Sequence, residues 1–433
     1  MNYTSVRVDR YQEQNASSLL FCLYIYFVID FFLHLSARLP VYGLVRPTLL
    51  LVLLISIILV FQRERFSNVF REPIFKPVLW LMLLVVLTVP FVTWPGSVIF
   101  TNIPAFIKAV VFFFFTALII DTERRLTVFL FVFCTCQVFR ILEPLYLHQT
   151  VGYWGDSTHL GEGEFADRLS GAPADVVNPN GLGFIIVTMI PYIHYLLWRS
   201  RKYTYKLAYT IIMPAMLYAL VLTMSRGAFI ALLVVIWMLF KESKRKFWMI
   251  IIVTVAVMAG WANMSDIHKD RYISLVSSDA RQSSTAEGRI QGMVDEFLIA
   301  MSRPIIGHGL GTSRETKAHA GLGWLISHNL YAELLIEIGV LGFVIFFAFL
   351  RAIYMKYRAN REKMKKMHAL DETTFAWRLN SALGAVFWMY AVYSVNYFGL
   401  SSYYWYMFAG IMLAFSRIYF TDKSIDLTGA RNE

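Results

Sequence analysis

Charged residues and cysteines are both scarce in this chain of 433 residues. Charged residues make up 16% of it, whereas soluble domains are about a quarter charged. The low charge, together with a mean hydropathy of +0.55, excludes an ordinary soluble domain. All three cysteines (Cys22, Cys134 and Cys136) lie inside apolar runs, so we expect no disulfide framework. The phosphate-binding motif Gly-x-x-x-x-Gly-Lys-Ser/Thr is absent, which argues against ATP-driven transport.

The chain contains long runs of apolar residues that carry few charges. Hydrophobic residues make up 58% of the chain, and runs of about 16–20 such residues can cross a membrane as helices. We therefore predict an all-α, polytopic membrane protein in which residues 1–433 form a single integral membrane domain. We expect no cleavable signal peptide, because the first run ends in charged residues rather than in a small-residue cleavage site. The runs indicate about twelve transmembrane helices, at residues 18–34, 47–61, 77–93, 103–120, 126–145, 181–198, 206–223, 226–240, 247–262, 329–350, 379–397 and 402–420.

The distribution of lysine and arginine predicts the orientation of these spans. Cytoplasmic loops of membrane proteins are enriched in both residues, and most of the 40 Lys and Arg residues fall in segments on the same side as the N-terminus. An even number of spans then places both termini in the cytoplasm. The net charge of +11 serves topology and contact with anionic membrane lipids, and we expect no nucleic-acid partner.

Two segments on the outer side are long. The first, 146–180, is polar and ends in Asn178-Pro179-Asn180-Gly181, which is typical of a turn before a helix. The second, 263–327, is the largest loop, and its residues 287–300 carry apolar side chains at helical spacing. We predict that this amphipathic helix lies on the membrane surface or caps a cavity, and that loop 263–327 carries part of a functional site.

Five cations are expected at the level of the outer membrane surface: Arg38, Arg46, Lys108, Arg140 and Arg226. Cations within or beside apolar spans are costly and usually functional. The planar fork of arginine matches phosphate oxygens, and lysine adds a point charge. Five together favour an anionic ligand, and they can stabilise a departing pyrophosphate without a metal. The alternative is that each side chain merely extends to the lipid head groups.

His328 lies where loop 263–327 meets an apolar run, in Ser327-His328-Asn329-Leu330. An unperturbed histidine titrates at about pH 6.5 and can accept a proton at neutral pH. We therefore predict that His328 is a catalytic base; the alternative is a histidine that starts a helix and bonds a loop carbonyl. His308 and His319 are weaker candidates, because both lie in glycine-flanked loop.

Glu333 and Glu337 are spaced i, i+4 on the helix that follows His328. They can orient that histidine or bind an acceptor sugar; alternatively, they satisfy polar groups inside the bundle. The intervals between His308, His319 and His328 match no common ligand spacing. We therefore expect no metal and no other cofactor.

Several short motifs follow one another between about residues 170 and 345. Pro304-x-x-Gly307-x-Gly309 is followed by His328-Asn329-Leu330 and then by Glu337-Ile338-Gly339-x-x-Gly342. Upstream stand Asn178-Pro179-Asn180, Ser225-Arg226-Gly227-Ala228 and Gly288-Arg289. Any one of these is weak, but in this order they resemble the signature of the O-antigen ligase/polymerase superfamily.

The resemblance implies a membrane glycosyltransferase of the bacterial inner membrane. Such an enzyme takes a glycan from undecaprenyl pyrophosphate at the periplasmic face. A ligase passes it to a sugar of lipid A–core, and a polymerase to another lipid-linked repeat unit. The family's essential arginines and histidine correspond to Arg226, Arg289 and His328. To these we add residues expected to bind the pyrophosphate or a sugar: Arg38, Lys108, Arg140, Arg168, Glu333 and Glu337.

We favour the ligase, because polymerases of this group often carry two arginine-rich outer loops and segment 146–180 holds only Arg168. The expected transfer is metal-independent and inverting. In it His328 takes the proton of the acceptor hydroxyl, while Arg226 and Arg289 neutralise the pyrophosphate. Within the family, the alternatives are an O-antigen or exopolysaccharide polymerase and a protein O-glycosylation ligase. Outside it, a lipid or polysaccharide transporter explains the many spans but not a histidine at the head of a helix.

Overall fold

The computed structural model describes residues 16–63, 67–161, 164–262, 269, 283–325, 327–367, 373–397 and 399–420. These residues are predominantly helical, and each predicted span overlaps a helix. In chain order the helices are α1 (Ser18–Leu33), α2 (Leu35–Arg38), α3 (Pro40–Leu44), α4 (Pro47–Phe61), α5 (Ser67–Phe70), α6 (Phe75–Thr88), α7 (Pro95–Ser97), α8 (Ile103–Ile119), α9 (Glu123–Val151), α10 (Pro179–Ile193), α11 (Tyr203–Leu222), α12 (Arg226–Glu242), α13 (Lys246–Ala262), α14 (Ser283–Ser302), α15 (Ser313–His319), α16 (Leu330–Lys366), α17 (Phe375–Tyr393) and α18 (Tyr403–Phe420).

Some of these helices are long and apolar enough to cross a membrane. By length and composition, the described residues contain five such stretches: Pro95–Ile119, Glu123–Val151, Pro179–Trp198, Tyr203–Leu222 and Leu330–Lys366. Shorter apolar stretches lie at Ser18–Leu33, Pro47–Phe61 and Phe75–Phe91. The fold is therefore that of a multi-pass α-helical membrane protein, as the composition predicts. The number of twelve spans stays a prediction.

Segment 146–180 departs from the all-helical expectation. Helix α9 runs into it, and residues Gly155–Gly161 (β1) then pair with Glu164–Leu169 (β2) as an antiparallel hairpin. The strands are short and largely polar, so the apolar alternation that marks a strand in a sequence is weak. Arg168 is only 6% exposed and takes an inward-facing position of β2, where a half-buried strand usually places an apolar residue.

Close packing between α8 and α18 lies at the centre of the bundle. A Cβ built on Gly410 would lie 2.7 Å from the Cβ of Thr116, so the two helices approach closely there. The hydroxyls of Thr116 and Tyr24 lie 2.6 Å apart, which links α8 to α1. Helix α18 also packs against α16. The same core therefore supports the helix that follows His328.

Helix α16 is interrupted at Gly339, where φ is 63° and ψ is −169°. This backbone conformation is essentially restricted to glycine. The loop before α15 passes beside the interruption, and the Val340 N–H donates to the Pro304 carbonyl at 2.8 Å. The loop and the helix lie very close together here: a Cβ built on Gly307 would lie 2.5 Å from the carbonyl carbon of Glu337. The Pro-x-x-Gly-x-Gly and Glu-Ile-Gly motifs therefore form one structural unit.

We predict that Gly339→Ala lowers the thermal unfolding temperature of the detergent-solubilised protein. The substitution adds backbone strain on the order of 1–3 kcal/mol and a clash with the carbonyl of Ile305. Gly292→Ala is the matched control, because no atom lies within 4 Å of a Cβ built there and alanine favours a helix by about 0.5–1 kcal/mol. Equal stability of the two variants would show that the interruption of α16 does not require glycine.

Candidate active site

Three long helices begin close together at one end of the bundle, which we call the outer end. Each start is capped by a side chain that accepts a hydrogen bond from the first helical turn. The caps are Asn178 for α10, Ser225 for α12 and Asn329 for α16. All three belong to motifs of the sequence signature. The start of an α-helix carries partial positive charge and unpaired N–H groups, so each is suited to an anion.

The segment from Tyr393 to Tyr397 joins two of these helix starts. The N–H of Leu330, the first residue of α16, lies 2.8 Å from the Ser394 carbonyl and 2.9 Å from the Tyr397 carbonyl, and donates to both. The Tyr393 hydroxyl donates to the carbonyl of Asn180, in the first turn of α10, at 2.7 Å. This segment therefore fixes α10 and α16 relative to each other.

Small residues bring the start of α12 to the same place. A Cβ built on Gly183 would lie 2.7 Å from the Cβ of Ala228, so α10 and α12 are nearly in backbone contact. A Cβ built on Gly227 would lie 3.5 Å from the Cβ of Asn396, within the Tyr393–Tyr397 segment. The positive ends of α10, α12 and α16 therefore converge on one region.

Two of the three predicted catalytic residues flank this region. Arg226 is the first residue of α12 and is 5% exposed. His328 directly precedes the cap of α16 and is exposed, whereas its neighbour Ser327 is fully buried. Arg289 lies in α14, and its side chain lies outside the described residues. The Tyr393–Tyr397 segment contacts both the start of α12, where Arg226 lies, and the start of α16, next to His328. It therefore links the two residues in the structure.

Arg168 is held by protein acceptors. Its Nε donates to the Thr223 carbonyl at 2.9 Å, and its terminal nitrogens donate to the Asn180 side chain at 3.0 Å and the Thr158 hydroxyl at 3.2 Å. The side chain thus ties the hairpin to the turn before α12 and to the start of α10. Arg168 therefore stabilises the packing of the hairpin against the outer end of the bundle.

Two more of the predicted cations are paired with carboxylates. Arg140 is 4% exposed and makes a forked ion pair with Asp175, at 2.6 and 2.9 Å. Arg38 makes a forked pair with Glu143, and this hydrogen-bonded partner raises the pKa of Arg38 above its ordinary value. Both arginines anchor outer segments to α9. Sequence spacing could not show these pairs, because each joins positions far apart in the chain.

Lys108 and Arg46 have a different environment. Both side chains are exposed, and among the residues that the structure describes neither makes a hydrogen bond or an ion pair. They line the same cavity. Among the cations predicted at the outer level, Arg38 and Arg140 thus have carboxylate partners, whereas Arg46 and Lys108 have none within the described residues.

Glu333 and Glu337 serve as acceptors for loop backbone. Glu333 accepts from the N–H groups of Gly399 and Leu400 at 2.7 and 3.2 Å. Glu337 is 1% exposed and accepts from the N–H of Gly311 at 2.7 Å. These contacts match the alternative given for the two glutamates, which is that they satisfy polar groups inside the bundle.

His308 is a structural residue in this fold. It is 8% exposed, and its Nε2 lies 3.0 Å from the Ser302 hydroxyl. Burial lowers the pKa of His308 below its ordinary value, so the ring is neutral at neutral pH. His319 is exposed at the end of α15. Over the described ranges, no three histidine, cysteine or acidic side chains come together as metal ligands.

Helix α14 contains residues 287–300, which were predicted to form an amphipathic helix. Phe297 and Leu298 are 53% and 62% exposed, whereas Glu296 on the other face is 4% exposed. Glu296 pairs with Lys317 of α15 at 2.7 Å. The helix is thus held by its polar face and presents apolar side chains outward, as a helix at a membrane surface would. Its position on a membrane stays a prediction.

The Tyr393–Tyr397 segment was missed by the sequence prediction. It falls inside the predicted span 379–397, but α17 ends at Tyr393. A run of tyrosines is the available signal: the rings of Tyr393 and Tyr397 pack on Phe184 of α10 at centroid distances of 4.8 and 5.3 Å. Buried tyrosines need partners for their hydroxyls, which is unusual in a lipid-facing span.

Comparison with known proteins shows a family resemblance over part of the chain. A family model described as O-Antigen ligase matches residues 211–347, a segment that includes Arg226, Arg289 and His328. No curated protein matches the chain. The match does not separate ligase from polymerase. By this match residues 211–347 are similar to an O-antigen ligase domain, which supports the resemblance to the O-antigen ligase superfamily expected from the motifs.

Proposed function

We propose that the protein is an O-antigen ligase of the bacterial inner membrane, with both termini in the cytoplasm and the outer end in the periplasm. It transfers a glycan from undecaprenyl pyrophosphate to a sugar of lipid A–core. The observation that carries this proposal is the convergence of three capped helix starts, with Arg226 at one and His328 beside another. The family match over residues 211–347 supports the same class of reaction.

The pyrophosphate of the donor is the anion that this end of the bundle suits best. The starts of α10, α12 and α16 supply positive partial charge, and Arg226 and Arg289 supply guanidinium forks that match phosphate oxygens. Arg226 is 5% exposed, so its charge acts where water screens it little. It can therefore stabilise the negative charge that develops on the departing pyrophosphate.

His328 acts as the base. In the transfer, the acceptor hydroxyl oxygen forms a bond to the anomeric carbon while the bond from that carbon to the pyrophosphate oxygen breaks. The electron pair leaves with undecaprenyl pyrophosphate, and the hydroxyl proton passes to His328. Attack opposite the leaving group inverts the anomeric configuration. The exposed position of His328 gives a sugar acceptor access to it.

The remaining predicted residues divide by their contacts. We assign Arg38, Arg140 and Arg168 a positioning role, because their guanidinium groups bond protein acceptors. Glu333 and Glu337 likewise position loops. Of these residues, we assign only Lys108 a direct contact with substrate.

The hydrogen bonds that Arg168 makes to the protein favour the ligase over the polymerase. A polymerase with two cooperating arginine-rich loops would need a free arginine in segment 146–180. That segment holds only Arg168, which bonds Thr223, Thr158 and Asn180. The polymerase is the second candidate, since the family match includes both activities.

Purified protein should attach the glycan of an undecaprenyl-pyrophosphate donor to rough lipopolysaccharide, and EDTA should leave the rate unchanged. Arginines and helix starts stabilise the leaving group in this mechanism, so chelation removes nothing that it needs. Products are read by gel shift of the lipopolysaccharide and by mass spectrometry. Longer lipid-linked chains with nothing on the core would identify a polymerase, and loss of activity in EDTA would contradict the metal-independent mechanism.

His328→Ala should lower the transfer rate by on the order of 10²–10⁴, the usual effect of removing a general base. His319→Ala is the matched control, because His319 is an exposed histidine of the same loop. Initial rates at saturating donor and acceptor measure the effect. Full activity of His328→Ala would remove the base assignment, whichever product forms.

Arg226→Lys should lower kcat by about 10²-fold, because lysine keeps the charge but loses the fork that holds the leaving group. Arg314→Lys is the control, since Arg314 is exposed on α15. Both variants should elute as wild type in size-exclusion chromatography. A change in the KM for donor with kcat unchanged would show that Arg226 binds the pyrophosphate without stabilising the transition state.

A further inference from the structure

A cavity of about 550 Å³ lies between α1 and α4 and is separate from the region between Arg226 and His328. The turn that carries α2 and α3 contributes to its wall. The polar side chains that line it are Asp30, His34, Ser36, Arg46, Thr48 and Lys108. Its size suits part of a lipid head group rather than a single ion.

Two cations face this cavity without partners among the residues that the structure describes. Arg46 stands at the start of α4 with φ of 49°, and Lys108 lies one turn into α8. Over the described part of the chain, neither side chain has a hydrogen bond or an ion pair, whereas Arg38 nearby is paired with Glu143. An arginine fork and a lysine point charge on one cavity suit a phosphate group.

A buried carboxylate completes the polar lining. Asp30 is 2% exposed, and its Oδ2 accepts from the Thr48 hydroxyl at 2.5 Å. Its Oδ1 is buried and has no hydrogen-bond partner among the described residues. The Tyr42 hydroxyl, which is paired with that of Tyr26 at 2.7 Å, also interacts with the Asp30 carboxylate, but Oδ1 still lacks a hydrogen bond of its own. A buried acceptor without a partner is costly, and a hydroxyl of a bound ligand would satisfy it.

Histidine aside, the acidic and basic side chains that line the cavity are Arg46, Lys108 and Asp30. The Nδ1 of His34 lies 3.5 Å from Oδ1 of Asp175, a carboxylate of the protein. Two cations and one carboxylate leave a net positive charge, with a separate acceptor for a hydroxyl.

Apolar surface surrounds the polar lining. Phe27, Phe31, Leu49 and Val52 are the large apolar side chains of the wall. The turn beside the cavity exposes apolar side chains, with Val41 at 81% and Leu44 at 84% exposure. In a membrane protein, such side chains lie in lipid rather than in water. A ligand that reaches the cavity from there carries an apolar tail.

We infer that this cavity binds the head of a phosphorylated, sugar-bearing membrane lipid. Arg46 and Lys108 hold the phosphate, and Asp30 accepts a hydrogen bond from a sugar hydroxyl. The lipid tail leaves along the apolar wall beside α4. This site is distinct from the helix starts assigned to the pyrophosphate of the donor.

Its position makes the bound lipid the acceptor, an assignment that rests on the proposed function. Lys108 and Phe31 also line a second cavity of about 360 Å³, whose other wall includes Tyr397. The Tyr397 carbonyl accepts from Leu330 at the head of α16, two residues after His328. The head group of a lipid held at Lys108 can therefore extend towards His328. Ligase and polymerase both use a phosphorylated lipid as acceptor, so the inference holds for either.

The first test is lipid binding to the purified full-length protein in detergent. The probes are rough lipopolysaccharide, the same material after enzymatic removal of its phosphates, and inorganic phosphate. The double variant Arg46→Gln/Lys108→Gln should bind the phosphorylated lipid at least about tenfold more weakly, as expected for lost charge-assisted hydrogen bonds, and the dephosphorylated lipid unchanged. Arg46→Lys, which keeps the charge, should recover part of the affinity. Lys76→Gln, at the start of α6 and exposed, should bind as wild type.

Two binding results would overturn the inference. One is equal affinity of wild type and double variant for the phosphorylated lipid. The other is competition by inorganic phosphate at the concentration at which the lipid itself binds, which would indicate a site for the free anion. Thermal unfolding of the double variant should match that of Lys76→Gln, so that a folding defect is not read as lost binding.

Kinetics then test the acceptor assignment. The double variant should raise the KM for acceptor at least about tenfold while kcat at saturating acceptor is retained. A higher KM for donor with an unchanged KM for acceptor would overturn the assignment. If wild-type protein transfers no glycan at all, the proposed function fails, and the binding experiment still decides whether the cavity takes a phosphorylated lipid.

Discussion

The constraint that shapes this protein is the need to satisfy backbone polar groups where helices are interrupted inside an apolar bundle. Water does not reach such groups, and each unpaired one is costly. At Gly339 the interruption of α16 is satisfied by the carbonyl of Pro304, to which Val340 donates. Beyond the end of α17, the N–H of Gly399 is satisfied by the carboxylate of Glu333. Both interruptions are therefore satisfied by acceptors of the protein rather than left to solvent.

Hydrogen bonds of the same kind position the candidate active site. Leu330 begins α16 by donating to the carbonyls of Ser394 and Tyr397, so the helix that follows His328 cannot move without the segment after α17. The same segment holds α10 through Asn180 and packs beside Gly227 of α12. A site built in this way has its positive helix ends fixed before any substrate arrives, which is what stabilisation of a leaving group by preorganised dipoles requires.

Hydropathy and local motifs predicted much of this arrangement. Apolar runs located helices such as α10 and α16, and the turn at Asn178 marked the start of α10 correctly, because both signals are local. The order of glycine motifs pointed to the family. The Gly339 interruption was not foreseen as a structural feature, since its partner Pro304 lies in a separate loop. The hairpin was missed because its inward positions include Arg168 rather than apolar residues alone.

The roles of the cations could not be predicted, because they depend on partners distant in sequence. An arginine paired with a buried carboxylate, such as Arg140 with Asp175, cannot turn to a phosphate without leaving that carboxylate uncompensated. In the function we propose, phosphate binding therefore falls to cations with no acidic partner, or to those aligned with helix starts. Within the described residues Lys108 meets the first condition, and Arg226 meets the second. An enzyme that joins two phosphorylated lipids needs two such sites at the same membrane level, with the histidine between their sugars.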